Sequence, residues 1–186
     1  MPNKPTIPTL TTDRLTLRAF SLDDLEAYAA MYADPRFVRF LGGAPLSSAE
    51  VWENIAVILG HWHLLGYGLW AVESSETGEL VGRAGLLNLP GWPDVEVCWA
   101  LGPRFWGRGY ATEAAAAAVR WAFDEARIPR LVSLIHPDNK ASEAVALRLG
   151  ERLHGSITFK GRRIRVFEIL DPSRAAGHSI SAEESP

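Results

Sequence analysis

Hydrophobic and polar positions follow two periods along this chain, and the switches between them mark its elements. Residues 14–20 alternate, with Leu15, Leu17 and Ala19 on one face, and predict a strand after a Pro/Thr-rich extended stretch over 1–12. Ser21 followed by Asp24 resembles a capping box with the shorter acid and opens a helix to about Ala33, where Asp34-Pro35 breaks it. Residues 36–45 read as a loop or short helical turn carrying exposed aromatics. Ser47 with Glu50 is a regular capping box, and the helix behind it lines Val51, Ile55, Ile58, Leu59, Trp62 and Leu65 along one stripe. Strands over 69–73 and 80–87 follow, joined by the hairpin signal Ser-Ser-Glu-Thr-Gly-Glu.

Another strand, 95–101, lies between the Pro90-Gly91-Trp92-Pro93 turn and Gly102-Pro103. A glycine-rich turn over 104–109 leads into the strongest helix pattern, 111–126, with five consecutive alanines. After Pro129 comes a short apolar strand, 131–136; Asn139 then caps a helix ending at Gly150. Strands over 152–159 and 163–170 turn at Lys160-Gly161. Beyond Asp171-Pro172 the composition shifts to Ser, Ala, Gly and Glu, so 173–186 read as a disordered tail to a single domain over 1–172. The order β-α-α-β-β-β-α-β-α-β-β, with an antiparallel first half and one β-α-β crossover, predicts an α+β or mixed-sheet α/β fold.

Composition narrows the function classes. With 186 residues, 47% hydrophobic and 22% charged, the chain is an ordinary globular domain. Cys98 stands alone, which excludes an internal disulfide and a cysteine zinc site. His61 and His63 are two apart and share no helix face, so no metal is expected. A net charge of −3 argues against a general nucleic-acid or membrane-surface binder. The absence of an 18-residue apolar run or a signal-peptide layout leads to an expected cytoplasmic location, as a monomer or homodimer. Seven tryptophans suggest an extensive core or an aromatic-lined pocket.

The sharpest chemistry is the strand, the turn Arg104-Phe105-Trp106-Gly107-Arg108-Gly109-Tyr110-Ala111-Thr112, and the helix behind it. Glycines at 107 and 109 permit a tight turn with no Cβ shielding its amides, and the helix start adds free N–H groups and positive dipole. Together they suit a phosphate or pyrophosphate. A P-loop is excluded because Tyr110, not lysine, follows Gly109; a dinucleotide fold fits weakly, with Thr112 at the third glycine position.

The stretch Val95-Glu96-Val97-Cys98-Trp99-Ala100-Leu101, the turn over 104–109, Tyr110-Ala111-Thr112-Glu113-Ala114, the later Pro137-Asp138-Asn139 with Ser142, and Leu149-Gly150 resemble the GNAT superfamily of acetyl-CoA-dependent N-acetyltransferases in order and spacing. The opening Thr12-Asp13-Arg14-Leu15, with Leu17-Arg18, is similar to its RimJ/RimL branch. The likeness covers about residues 10–170. It implies a mostly antiparallel sheet flanked by helices and splayed between the strands at 95–101 and 131–136, with acetyl-CoA in the cleft and no metal. Backbone groups of Trp99, Ala100 and Leu101 would pair with the pantetheine arm. The amides of Arg104, Phe105, Trp106, Gly107, Arg108 and Gly109, with Thr112, would take the pyrophosphate, and Asn139 would face the pantetheine. The acceptor, a protein N-terminus or a small-molecule amine, would enter past the first two helices, making Phe37, Phe40, Leu41 and Trp92 wall residues.

Acetyl transfer needs a neutral amine and a proton for the departing thiolate. An α-amine with a pKa near 8 is already roughly a tenth neutral at pH 7, so a modest base suffices. Strand parity puts Glu96, Cys98 and Ala100 on one face, and an acid inside this apolar strand is costly without a partner or a task. Glu96 is therefore the candidate base, against a purely structural pairing with an arginine. Many relatives carry a tyrosine acid seven residues after the asparagine; here Ala146 stands there, leaving Ser142 as the candidate, or as a capping residue only. The usual Gly-Phe after this helix is Gly150-Glu151. Cys98 reads as a small buried hydrophobe and Trp62 as core. A non-catalytic acyl-CoA-binding module and a nucleotide-dependent oxidoreductase remain the alternatives.

Overall fold

In the computed structural model, which describes residues 6–175, the strands are β1 (Leu10–Thr11), β2 (Leu15–Arg18), β3 (Leu69–Ser74), β4 (Leu80–Leu87), β5 (Glu96–Leu101), β6 (Arg130–Ile135), β7 (Arg152–Phe159) and β8 (Arg162–Leu170). They form one sheet in the order β1-β2-β3-β4-β5-β6-β8-β7, antiparallel except where β5 meets β6. The helices are α1 (Leu25–Tyr32), α2 (Pro35–Val38), α3 (Ser48–Leu65), α4 (Tyr110–Asp124), α5 (Lys140–Arg148) and α6 (Pro172–Ala175). This is the mixed, mostly antiparallel α+β architecture expected. Residues 173–175 belong to the turn of α6, and the rest of the expected tail, 176–186, lies outside the described residues.

Local chemistry explains the boundaries. Ser47 and Glu50 cap α3 reciprocally, with the Ser47 amide donating to Glu50 Oε2 at 2.8 Å, and Gly66 ends the helix in the left-handed region. Asn139 Oδ1 accepts the Ser142 amide at 3.2 Å to start α5. The Ser21–Asp24 box opens a short 3-10 turn over Leu22–Asp24 before α1, because Asp24 also serves Arg18 through bonds of 2.8 and 2.7 Å.

Two expectations need correction. On α3 the buried stripe is Val51, Ile55, Ile58, His61 and Trp62; Leu59 and Leu65 are exposed. His61 takes an inward position because its ring is fully used: Nε2 accepts the Asn88 amide at 3.1 Å, so Nδ1 donates to the Tyr67 carbonyl at 2.7 Å. In the 36–45 segment Phe37 is buried at the edge of Tyr32 rather than exposed, while Phe40 is half-buried against His136.

The register divides the sheet into two faces. Leu86 and Val97 pack under Ala115, Val119, Ala122 and Phe123 of α4, and Trp62, Trp70 and Trp121 interlock edge to face nearby. On the opposite face Arg18 stands across from Ala71, Ala71 across from Arg83, and Arg83 across from Ala100. Glu96 and Cys98 share that face by the two-residue period, and α1 and α3 pack together there, with Tyr28 and Asn54 beside Arg83.

β5 and β6 hold together at one register pair, Glu96 with Val132, supported by the Val132 amide on the Val95 carbonyl at 3.0 Å. Past that point the strands part. Ser133 Oγ bridges to the Val97 carbonyl at 2.9 Å, and by alternation the backbone groups of Trp99 and Leu101 face the widening gap.

Candidate functional site

The open end of this gap leads to the glycine turn. Gly107 and Gly109 sit at φ +76° and +80°, conformations that side chains rarely adopt, and a Cβ at Gly107 would meet nothing within 4 Å. Among the described residues the amides of Gly107, Arg108 and Gly109 have no hydrogen-bond partner. They continue into the first turn of α4, whose N-terminal amides are unpaired by helix geometry. The Phe105 and Trp106 amides are already used, donating to the Gly102 and Pro103 carbonyls at 2.9 and 3.3 Å. The continuous run of free amides therefore starts at Gly107 and reaches the first turn of α4, with Phe105 and Trp106 outside it.

Arg104 is exposed, lies over the Phe105 ring and reaches Glu79 at 3.3 Å; Arg108 is exposed too, 5.9 Å from the same ring. Trp106 lies half outside, and its indole N–H donates to the Leu101 carbonyl at 2.6 Å, so Leu101 offers the gap only its amide. Arg14 pins the turn from behind, donating to the Arg108 carbonyl at 3.0 Å and to Glu113 Oε2 at 2.8 Å.

Glu96 stands at the closed end of the gap. Trp92 Nε1 donates to its Oε2 at 2.7 Å and the Leu134 amide to its Oε1 at 3.4 Å. Burial nevertheless pushes this carboxyl up to about 7, against those two donors and the nearby Arg83 charge. A carboxyl titrating there can both take and return a proton at neutral pH. Trp92 is itself held edge-on to Phe159 at 5.0 Å, with Lys160 Nζ 4.2 Å above its ring, so the β7–β8 turn lies over the indole that bonds Glu96. Cys98, on the same face, is no nucleophile: burial and the Glu96 charge push its thiol far above the usual range.

Just behind Glu96 a second carboxyl is buried. Ser133 Oγ lies 2.9 Å from the Val97 carbonyl and 2.9 Å from Glu151 Oε1. A hydroxyl has one proton, and the carbonyl can only accept it, so the Glu151 contact is satisfied when Glu151 itself carries a proton. Burial accordingly pushes Glu151 up to about 7, opposed by Ser133 and reinforced by Glu96, and among the described residues its Oε2 has no hydrogen-bond partner. Ala146, at the position of the usual tyrosine, is fully buried against Ile135 and Phe167. Ser142 is half-buried with its amide on the Asn139 side chain, so both candidates at the start of α5 form its cap.

Of the proposed walls, Trp92 joins Glu96 directly, Phe40 and the exposed Leu41 flank His136 and the α2 end, and Phe37 belongs to the core. The sequence reading missed Arg83, Asn54, Tyr28 and Lys160. Arg83 had a signal, a charged residue within the apolar run 80–87; the others arrive from distant segments. Among the described residues no group of three or more His, Cys, Asp or Glu is arranged to hold a metal ion, and no helix is long and apolar enough to cross a membrane.

Residues 14–152 match the acetyltransferase (GNAT) domain family. YkkB of Bacillus subtilis strain 168 is 30% identical over 168 residues, 86% of this chain and 94% of that protein. The crystal structure of an acetyltransferase from Agrobacterium tumefaciens C58 superposes with a TM-score of 0.80 at 38% identity, covering 88% of this chain and 95% of that one. RimL, a ribosomal alpha-N-protein acetyltransferase solved in complex with coenzyme A, shares the fold at TM-score 0.74 and 18% identity, over 88% of this chain and 98% of its own. The splayed sheet, the glycine turn before α4 and these likenesses agree: the chain belongs to the GNAT family of acetyl-CoA-dependent N-acetyltransferases.

Proposed function

We propose that this chain moves the acetyl group of acetyl-CoA to a primary amine by direct attack, with Glu96 as general base. The Glu96 carboxyl carries the reading: it lies at the vertex of the splay and its pKa is raised to about 7. Its geometry suits withdrawal of a proton from an amine entering on the α1–α3 face.

The residues fit acetyl-CoA. Unpaired backbone at Trp99, with Ala100 and the Leu101 amide alongside, suits a pantetheine arm lying as an added strand, while the free amides of Gly107, Arg108 and Gly109 suit a pyrophosphate. When bound, acetyl-CoA supplies an activated thioester. Glu96 takes the amine proton as nitrogen bonds the acyl carbon and the carbon–sulfur bond breaks, and Trp92 orients the carboxylate through its indole N–H. Glu96 then returns the proton through water to the departing thiolate, which is hydrogen-bonded by Ser142, whose hydroxyl makes no hydrogen bond among the described residues. The acceptor is a protein N-terminus or a small-molecule amine; the likeness to RimL supports the former, and the α-amine's lower pKa suits a carboxylate base.

Thermal unfolding with acetyl-CoA, CoA, NAD or buffer tests the donor. A ligand at 100 times its Kd adds about 2.7 kcal/mol, a shift of several degrees. The expected outcome is a shift with the two CoA species alone, followed by thiol release with amines. Equal midpoints in all four samples overturn the cofactor assignment, and tight CoA binding without turnover of any amine favours a non-catalytic acyl-CoA-binding module.

A further inference from the structure

Four arginines among the described residues are half-buried: Arg18, Arg83, Arg130 and Arg165. Three of them rest on carboxylates. Arg18 reaches Asp24 and Glu73 at 2.7 Å each, Arg130 reaches Glu168 at 3.1 Å, and Arg165 reaches Glu143 at 2.6 Å. Arg83 has no carboxylate within 4.0 Å among the described residues. Its charge is felt at the Glu96 carboxyl, but no carboxylate touches it, and a guanidinium withdrawn from water with no anion in contact is costly in the interior of an apolar central strand.

The groups in contact with Arg83 orient it and carry no charge of their own. Its Nη1 donates to Asn54 Oδ1 at 3.2 Å, and that oxygen also receives the Tyr28 and Tyr32 hydroxyls at 3.4 and 3.5 Å. The sheet neighbours on its face are small: Ala71 and Ala100 directly across, Gly85 and Cys98 one step along. A planar fork of donors is thus held on neutral groups, on the face that carries Glu96, and such a fork matches a carboxylate in bidentate fashion.

We propose that Arg83 receives a carboxylate borne by the acceptor, so that the amine acetylated at Glu96 belongs to an acidic molecule. This rests on the acetyl-transfer reading above and adds its substrate class. Arg83 stands across from Ala100, four residues from Glu96 on β5, about 13 Å at the strand's rise per residue. The Arg83 charge is felt at the Glu96 carboxyl across that span, and an amine at one and a carboxylate at the other are several bonds apart. An ω-amino acid fits, as does a peptide with an acidic side chain near its amino end.

The test uses matched pairs with acetyl-CoA as donor: 4-aminobutanoate and 6-aminohexanoate against their carboxamides, and short peptides with aspartate against asparagine at the second position. Thiol release should be found with acids of one or both kinds, which separates the two sources, at a KM at least about 30-fold below that of the neutral partner. Arg83→Met should erase that difference by raising KM for the acids alone, with acetyl-CoA affinity retained as the control for folding. Arg83→Lys, which keeps the charge but not the fork, should recover part of it. Calorimetric titration of the CoA complex with the N-acetylated products reads the same preference without turnover. Equal use of acids and neutral partners, equal losses for both in Arg83→Met, or no binding of any acetylated acid overturns the proposal. Retained CoA binding in that case leaves the family chemistry standing; a CoA affinity lost in Arg83→Met assigns the arginine to the cofactor instead.

Discussion

Glu151→Gln is the sharpest test of how the vertex of the splay is protonated. In the unfolded chain this carboxyl titrates at its ordinary 4.5, and in the folded protein at about 7. Below pH 4.5 both states hold the proton and no penalty arises. As pH rises from there, the unfolded chain releases its proton while the folded protein keeps it, so stability falls by about 1.36 kcal/mol per pH unit. The loss levels off above the folded pKa, at about 3 kcal/mol for a group as buried as this one. Glutamine has the shape of the protonated acid and an N–H to give Ser133, whose own proton serves the Val97 carbonyl. The variant should therefore match the parent near pH 4.5 and exceed it by about 3 kcal/mol at pH 8. Urea unfolding of both proteins at steps between pH 4.5 and 8 measures this, and the difference between them cancels the shared titrating groups other than Glu96, which is coupled to Glu151. Two curves that stay parallel would mean that Glu151 ionises as readily folded as unfolded, and the reasoning from the Ser133 hydroxyl would be wrong.

Glu96→Gln should retain CoA affinity and lose about 10²-fold or more in turnover at pH 7, with partial recovery at higher pH as the amine deprotonates unaided, whereas the parent's rate should rise through about pH 7; turnover unchanged across that range removes Glu96 as the base. Gly107→Val should fold, since its Cβ meets nothing, at a cost of about 1–3 kcal/mol for the left-handed backbone, and should weaken CoA binding at least about tenfold in calorimetry; a normal Kd would sink the pyrophosphate cradle. Asp24→Asn removes the buried carboxylate that holds Arg18 through two bonds and should cost about 3 kcal/mol in urea unfolding. A cost under about 0.5 kcal/mol would mean that Glu73 alone satisfies Arg18.

Local signals carried far. The Ser47–Glu50 box, the Asn139 cap, the Gly150 terminus and the alternation on each side of Glu96 depend on residues within a turn of one another, and all appear where the pattern puts them. Failures occur where a distant segment decides. Leu59 and Leu65 lose the inward positions of α3 because the carbonyl of Tyr67 and the amide of Asn88 hold His61 there. Phe37 turns inward because α2 lies against Tyr32. The two-residue β1 exists through its register with β2, which no period in so short a run announces. At the site, Glu96 stands out as an acid in an apolar strand, but its partners Trp92, Leu134 and Arg83 come from a turn and two other strands. The Glu151–Ser133 contact joins residues 18 apart, and only the Gly150-Glu151 departure from the family pattern hints at it.

The single rung between β5 and β6 also sets how the sheet deforms. Five strands on one side and three on the other are tied by ladders of several register pairs apart from the two-residue β1, yet among the described residues only Glu96–Val132 pairs across this seam, with Ser133 as a side-chain strut. Backbone pairing is thus thinnest at this seam, where the packing of Leu131, Val97 and Leu86 under α4 carries the connection, and the seam lies beside both raised carboxyls. Amides of Trp99 and Leu101, which face the seam, are left open to solvent exchange, while their neighbours on the β4 side are protected. Anything that lies along the seam as an added strand supplies the missing rungs, so occupation stiffens the sheet across its softest line.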